Sequence, residues 1–115
     1  MTRKPQSADA RLVDAYIASL RAGGFAVTTL VWYGSRARGA AASAGADFDL
    51  IVVAPQFGGL AWVERLVAAY AHWPVTQAAD ILCYTPEEFD RLSRRASIVR
   101  EALQTGRRLH VSPDT

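Results

Sequence analysis

The sequence predicts an α+β protein, a two-layer α/β sandwich in which helices cover a mixed β-sheet. Segments with apolar residues at three- and four-residue spacing alternate with short β-branched and aromatic runs, and one apolar run is continuous, as is typical of a strand buried on both faces. The chain has 115 residues, 50% of them hydrophobic, which is enough for one domain over residues 1–115 with its own core.

The predicted helices are marked by residues that favour helix ends. Ser7 is placed as the N-cap of the first helix, and Gly23 ends it. A second helix is predicted over residues 60–73. The run Thr-Pro-Glu-Glu at residues 85–88 has the order of an N-cap, a first-turn proline and a capping-box glutamate. One or two short helices are therefore expected from there to residue 106.

Strands are predicted where β-branched and aromatic residues cluster between turn residues. These runs are residues 27–33, 48–54 and 79–84. The second of them is continuously apolar over residues 50–54 and is stopped by Pro55, as is typical of a strand buried on both faces. Residues 107–111 form either a last short strand or an ordered tail.

Charge and cysteine content exclude several classes of protein. Thirteen basic and eleven acidic residues give a net charge of +2, so a nucleic-acid partner is possible but not favoured. The single cysteine, Cys83, cannot form an intramolecular disulfide, and nothing indicates an oxidising compartment. The longest uninterrupted apolar run, residues 50–54, is far shorter than the roughly 20 residues that span a bilayer. We expect a cytoplasmic protein with no membrane segment.

Residue types that bind phosphate cluster where the first strand ends. Gly34 allows the backbone to approach a ligand closely, and Ser35 adds a hydroxyl group. Arg36 and Arg38 follow with permanently charged guanidinium groups that suit phosphate oxygens. These four residues are the candidate nucleotide-binding set. The alternative is that both arginines are exposed side chains of a short helix.

Three aspartates form the candidate catalytic and metal-binding set. Asp47 and Asp49 are two residues apart at the start of a strand, so their carboxylates project from the same face. Neighbouring carboxylates repel each other unless protons or cations neutralise them, and Mg²⁺ is a suitable cation. Asp80 begins the third strand and completes the cluster if the two strands are neighbours. Such a cluster can hold two metal ions, and Asp80 could bind the ion that activates a nucleophile or accept the nucleophile's proton.

This combination resembles the nucleotidyltransferase superfamily that includes DNA polymerase beta, and within it the single-domain minimal nucleotidyltransferases. The resemblance is carried by Gly34-Ser35, by Ala37-Arg38-Gly39, by Asp47-x-Asp49 and by Asp80, and it extends over about residues 30–109. It implies Mg²⁺-dependent transfer of a nucleoside monophosphate from ATP to an acceptor hydroxyl, with release of pyrophosphate. The chain departs from the family pattern at Ala46, where relatives often carry serine, and in a loop that is one residue longer.

The resemblance also implies a partner, because minimal nucleotidyltransferases are commonly paired with HEPN-domain proteins as toxin and antitoxin. The implied activity is therefore an antitoxin-like transfer of AMP from ATP to a HEPN partner. One alternative is a catalytically weak nucleotide-binding module that neutralises its partner by occlusion. Another is transfer to a small molecule or an RNA end, which the short chain disfavours. Homo-oligomer formation through the helix flanked by Trp62 and Trp73 is also possible.

The last quarter of the chain is rich in arginine. A solvated helix face is the ordinary interpretation of this composition. An RNA-binding strip and a surface that docks a partner protein are the functional alternatives, although no aromatic residues interleave the arginines as they do in single-strand binders. The residues concerned are Arg91, Arg94, Arg95, Arg100, Arg107 and Arg108.

Overall fold

A computed structural model describes residues 7–37 and 47–110 of the chain. Helices and strands alternate along these two ranges, as the sequence predicts. In chain order the elements are α1 (Ala8–Ala22), β1 (Thr29–Tyr33), α2 (Gly34–Ala37), β2 (Phe48–Val53), a 3₁₀ helix (Pro55–Gly59), α3 (Trp62–Ala71), β3 (Ala79–Tyr84), α4 (Pro86–Ser93), α5 (Ile98–Thr105) and β4 (Arg107–His110). The two short helices α4 and α5 are followed by the strand β4, which is the last described element of the chain.

The four strands form one mixed sheet in the order β3-β2-β1-β4. Strand β1 is antiparallel to β2 and to β4, whereas β2 and β3 are parallel. The continuously apolar run forms the central strand β2, which is buried along its length except at Asp49. These observations confirm the α+β class and the mixed sheet covered by helices.

Helices pack on both faces of the sheet, a difference from the expected two layers. On one face, α1 and α3 cover a large core that includes Trp32, Phe48 and Trp73. On the other face, Phe89 of α4 and residues of α5 cover a smaller core. Because side chains of a strand alternate between faces, the central strands supply apolar residues to both cores.

The helix ends that the sequence predicts are confirmed at two positions. Ser7 accepts a hydrogen bond from the backbone N–H of Ala10 at 3.1 Å. At the start of α4, the Thr85 hydroxyl accepts from the Glu88 N–H at 3.2 Å, and the Glu88 carboxylate accepts from the Thr85 N–H at 2.8 Å. These bonds satisfy backbone N–H groups that have no partner within the helix.

Side chains of α3 cover the polar outer edge of β3. The Tyr70 hydroxyl donates to the Ala79 carbonyl at 2.9 Å and accepts from the Ile81 N–H at 3.0 Å. The Arg65 guanidinium donates to the Cys83 carbonyl at 3.2 Å. An edge strand normally leaves such groups available for pairing with another strand, so these side chains compete with pairing at Ala79, Ile81 and Cys83.

Over residues 7–37 and 47–110, every helix is too short or too polar to cross a membrane.

Candidate active site

A row of three polar side chains crosses the sheet where β1 ends and β2 and β3 begin. Tyr33 is the register partner of Asp49 on the antiparallel side, and Asp80 is the partner of Asp49 on the parallel side. All three line one cleft of about 430 Å³. Parallel pairing of β2 with β3 therefore brings Asp49 and Asp80 together. From the sequence, this pair was expected only if the two strands were neighbours.

Gly34 packs directly against this row. It follows Tyr33 with a φ of +83°, a conformation that residues with a side chain rarely adopt. A Cβ atom at this position would collide with the Oδ2 atom of Asp49 and lie 3.1 Å from its Cγ atom. Glycine is thus required here both by the turn and by the approach of the carboxylate.

The electrostatics of the row centre on Asp49, which is half-buried. Burial raises the pKa of Asp49 above its ordinary value, and the nearby carboxylates of Asp80 and Asp47 raise it further. Burial, followed by the charges of Asp49 and Asp80, raises the pKa of Tyr33 to about 12. The site therefore holds a neutral phenol beside carboxylates that repel one another, an environment that a cation would stabilise.

Asp47 lies one residue before β2 and is exposed. The negative charge of Asp47 contributes to the raised pKa of Asp49, but Asp47 does not line the cleft that Asp49 and Asp80 share. Within the two described ranges, no three histidine, cysteine or carboxylate side chains converge closely enough to enclose an ion. Mg²⁺ binds through one or two carboxylates together with substrate phosphates, so the all-oxygen pair Asp49 and Asp80 fits this ion without a closed protein cage.

The predicted nucleotide-binding residues differ in their surroundings. Ser35 is exposed in the short helix α2, next to Gly34. The Arg36 guanidinium instead forms two hydrogen bonds to the Asp9 carboxylate, at 2.9 and 3.1 Å, and lies 4.1 Å from the centre of the Phe48 ring. The hydrogen bond to Asp9 raises the pKa of Arg36 further. Arg36 thereby links α1 to α2, whereas Arg38 lies outside the described residues.

Three aromatic residues of the cleft were not predicted as site residues. Tyr33, Trp62 and Tyr70 line it together with the aspartates. Strand alternation places Tyr33 on the same face as Val31, so the face of the sheet on which Tyr33 lies was predictable from the sequence. Its pairing with Asp49 was not, because the sequence does not determine the register between the two strands. Trp62 is 45% exposed, whereas Trp73, at the other end of α3, is buried in the core.

Comparisons with known proteins give one structural similarity. No protein-family profile and no curated protein matches the sequence. A crystal structure of a candidate nucleotidyltransferase from Sulfolobus solfataricus is similar to this chain, with 20% identity and a TM-score of 0.48. The alignment covers 79% of this chain and 85% of that chain. The interpretation of the cleft therefore depends on its own residues.

Proposed function

We propose that the chain is a nucleotidyltransferase that moves a nucleoside monophosphate, AMP from ATP, to a hydroxyl group of a partner protein. The observation that carries this proposal is the pairing of Asp49 with Asp80 directly beside the Gly34 turn. Carboxylates that repel one another are suited to binding a cation. The glycine turn and the exposed Ser35 beside them are suited to the phosphates of a nucleoside triphosphate. The sequence resemblance to minimal nucleotidyltransferases supports the same reaction, and it implies a HEPN toxin as the partner and an antitoxin role.

In this reaction the chain's own residues bind the phosphates and accept a proton. The Gly34 backbone and the Ser35 hydroxyl would bind phosphate oxygens next to Asp49. The acceptor oxygen attacks the α-phosphorus, the bond to the oxygen that bridges the α- and β-phosphates breaks, and pyrophosphate leaves with that electron pair. Asp80, the more exposed member of the pair, accepts the proton of the acceptor hydroxyl.

The aspartates also provide the ligands for the expected cofactor. Asp49 and Asp80 would hold Mg²⁺, with Asp47 available as a further ligand, and the family resemblance implies two ions. When bound, Mg²⁺ supplies positive charge against the negative charge that develops on the phosphate oxygens. Arg36 is engaged by Asp9 and so is held away from this step, whereas Arg38 stays a predicted phosphate ligand.

The test is the transfer of label from α-labelled ATP, with Mg²⁺, into a cell extract from the source organism. We expect a labelled protein band with the wild type and a loss of about a hundredfold or more in Asp49→Asn, because the ion's contribution is several kcal/mol. Asp14→Asn makes the same chemical change on the exposed side of α1 and should leave the labelling intact.

Two results would contradict an active transferase. One is equal labelling by the wild type and Asp49→Asn. The other is no labelling by a folded wild-type protein that still binds ATP, which would favour the module that neutralises its partner by occlusion. Label that enters RNA or a small molecule in place of protein would retain the transferase and reject its protein acceptor.

A further inference from the structure

A second cleft continues from the candidate active site along β3. Its volume is about 260 Å³, and it is lined by Tyr84 of β3, by Trp62 of α3 and by Arg91 and Arg95 at the end of α4. Trp62 lines both clefts, and its ring centre lies 5.8 Å from that of Tyr84. The two clefts together form a groove, here called the β3 groove, with the aspartates at one end and the two arginines at the other.

The length of the β3 groove follows from the strand beneath it. Asp80, Leu82 and Tyr84 alternate with buried residues and so project from the same face of β3. Tyr84 lies four positions after Asp80 in the strand, a distance of roughly 13 Å at 3.3 Å per residue. An extended polypeptide laid along the groove would span the same distance with about four residues.

The charge of the groove changes from one end to the other. In the cleft at the far end, Glu88 is held by Arg65 through hydrogen bonds of 2.7 and 3.2 Å. Arg91 and Arg95 are exposed there, and within residues 7–37 and 47–110 no carboxylate lies within ion-pair distance of either. Two uncompensated positive charges therefore face the solvent at the end opposite the aspartates.

The middle of the groove is apolar. Leu82 forms its floor, and Leu66 and Ile98 contribute from the helices on either side. A nucleic-acid strand carries a phosphate at every nucleotide and would place charge over this apolar floor. An extended peptide can instead place an apolar side chain there. Because Tyr70 and Arg65 already occupy three outer polar groups of β3, we expect such a peptide to be recognised by its side chains and not as an added strand.

We infer that the β3 groove binds the acceptor segment of the partner protein: an extended acidic peptide that presents its hydroxyl at Asp49 and Asp80, an apolar side chain over Leu82, and a carboxylate to Arg91 and Arg95. This inference rests on the proposed transfer to a protein hydroxyl and defines its substrate class. Tyr84 lines the same cleft as Arg91 and Arg95 and is four positions from Asp80. The peptide's carboxylate is therefore expected about four residues from the residue that bears the hydroxyl.

The test uses two fluorescein-labelled synthetic peptides in a binding assay without ATP or Mg²⁺. Both carry one tyrosine and a leucine two positions after it. They differ at the fourth position after the tyrosine, which is glutamate in one peptide and lysine in the other. We expect the glutamate peptide to bind the wild type about tenfold more tightly, as one charge-assisted contact partly exposed to water would give.

Charge reversal in the groove provides the matched comparison. Arg91→Glu should abolish the preference for the glutamate peptide. Arg100→Glu reverses another exposed arginine, on α5 and outside the groove, and should retain the preference. Both side chains are exposed, so both variants are expected to fold, and circular dichroism checks this.

Two outcomes would overturn the inference. Equal binding of the two peptides, or an equal loss of preference in both variants, would show that the arginines do not select an acidic residue. Tighter binding of a single-stranded RNA oligonucleotide than of the glutamate peptide, weakened by Arg91→Glu, would replace the peptide as occupant. Neither outcome bears on label transfer from ATP, so the inference and the transferase proposal can fail separately.

Discussion

Asp49 has the least favourable position for a charge among the three predicted aspartates. It is half-buried, faces Asp80 across the sheet and lies against Gly34. Because its pKa is raised in the folded protein, the ionised carboxylate lowers stability at neutral pH, and this cost disappears as the pH falls through the raised pKa. A bound cation would relieve the same cost without a change of pH.

Mg²⁺ should therefore stabilise the fold, and Asp49 should be required for the effect. At a Mg²⁺ concentration ten times its dissociation constant, we expect the free energy of unfolding to rise by about 1.4 kcal/mol in the wild type. Urea unfolding with Mg²⁺ and with EDTA measures this change. In Asp49→Asn the change should be absent, while stability without Mg²⁺ is equal to or higher than that of the wild type. An equal rise in both proteins would contradict metal binding at Asp49.

Gly34 should not tolerate a side chain. Gly34→Ala combines an unfavourable φ with a collision against Asp49, and we expect it to destabilise the fold by about 2 kcal/mol or more. Gly59→Ala is the control, because a Cβ at Gly59 meets no atom within 4 Å. Chemical unfolding of the two variants measures the difference, and equal stability of both would show that the turn can relax.

At the scale of the element, the start of α4 is held to α3 by one ion pair. The Glu88 carboxylate caps α4 and binds Arg65, whose side chain is only 10% exposed. The hydrogen bond from Arg65 holds the pKa of Glu88 below its ordinary value. The resulting stabilisation is present above the unfolded-state pKa and is lost as the pH falls through the lowered pKa.

Glu88→Gln should reveal this contribution through its pH dependence. Glutamine retains the shape needed for the capping box but removes the charge opposite Arg65, so we expect a loss of about 2 kcal/mol at pH 7. The difference from the wild type should shrink near pH 3. Glu87→Gln, an exposed change in the same turn, should show little effect at either pH. A loss in Glu88→Gln that is independent of pH would assign the effect to packing.

The elements differ in how far local sequence determines them. The α4 capping box was predictable because all its partners lie within four residues. The short helix α2 was predicted only as the alternative to a phosphate-binding turn after Gly34. Arg36 shows the reason: its partners Asp9 and Phe48 are distant in sequence, and contacts of that kind leave no local pattern.

At the scale of the whole molecule, two cores share one sheet. Alternate residues of β1 and β2 face opposite cores, so the loss of one core should weaken both. Phe89 is 6% exposed and belongs to the smaller core, whereas Trp32 and Trp73 lie in the larger one. Two of the three tryptophans therefore report on the face opposite to Phe89, while Trp62 is 45% exposed and contacts Tyr84.

Phe89→Ala should lower the stability that this fluorescence reports. We expect a loss of about 3–5 kcal/mol, as for other buried aromatic side chains, with a single unfolding transition. Guanidinium unfolding followed by tryptophan fluorescence and by circular dichroism measures it. Two separate transitions would show that α4 and α5 unfold independently of the rest.

The candidate site was predictable to the extent that it depends on spacing within one segment. Asp49 was predictable from its position in a strand, whereas Asp47, predicted on the same face, lies one residue before β2 and does not line the cleft. The contact between Asp49 and Asp80 required the parallel pairing of β2 with β3, and the position of Tyr33 required the register of β1 with β2. Neither pairing leaves a signal within a single segment, because both form between strands that are separated along the chain.

The covered edge of β3 limits how copies of this molecule can join. A fibril that grows by strand pairing needs two available edges on every copy, one to accept a neighbour and one to offer to the next. Tyr70 and Arg65 occupy three of the outer polar groups at the β3 end of the sheet, so pairing at that end would have to displace them. Within the part of the chain that the structure describes, open-ended growth through this sheet is therefore opposed at its β3 end.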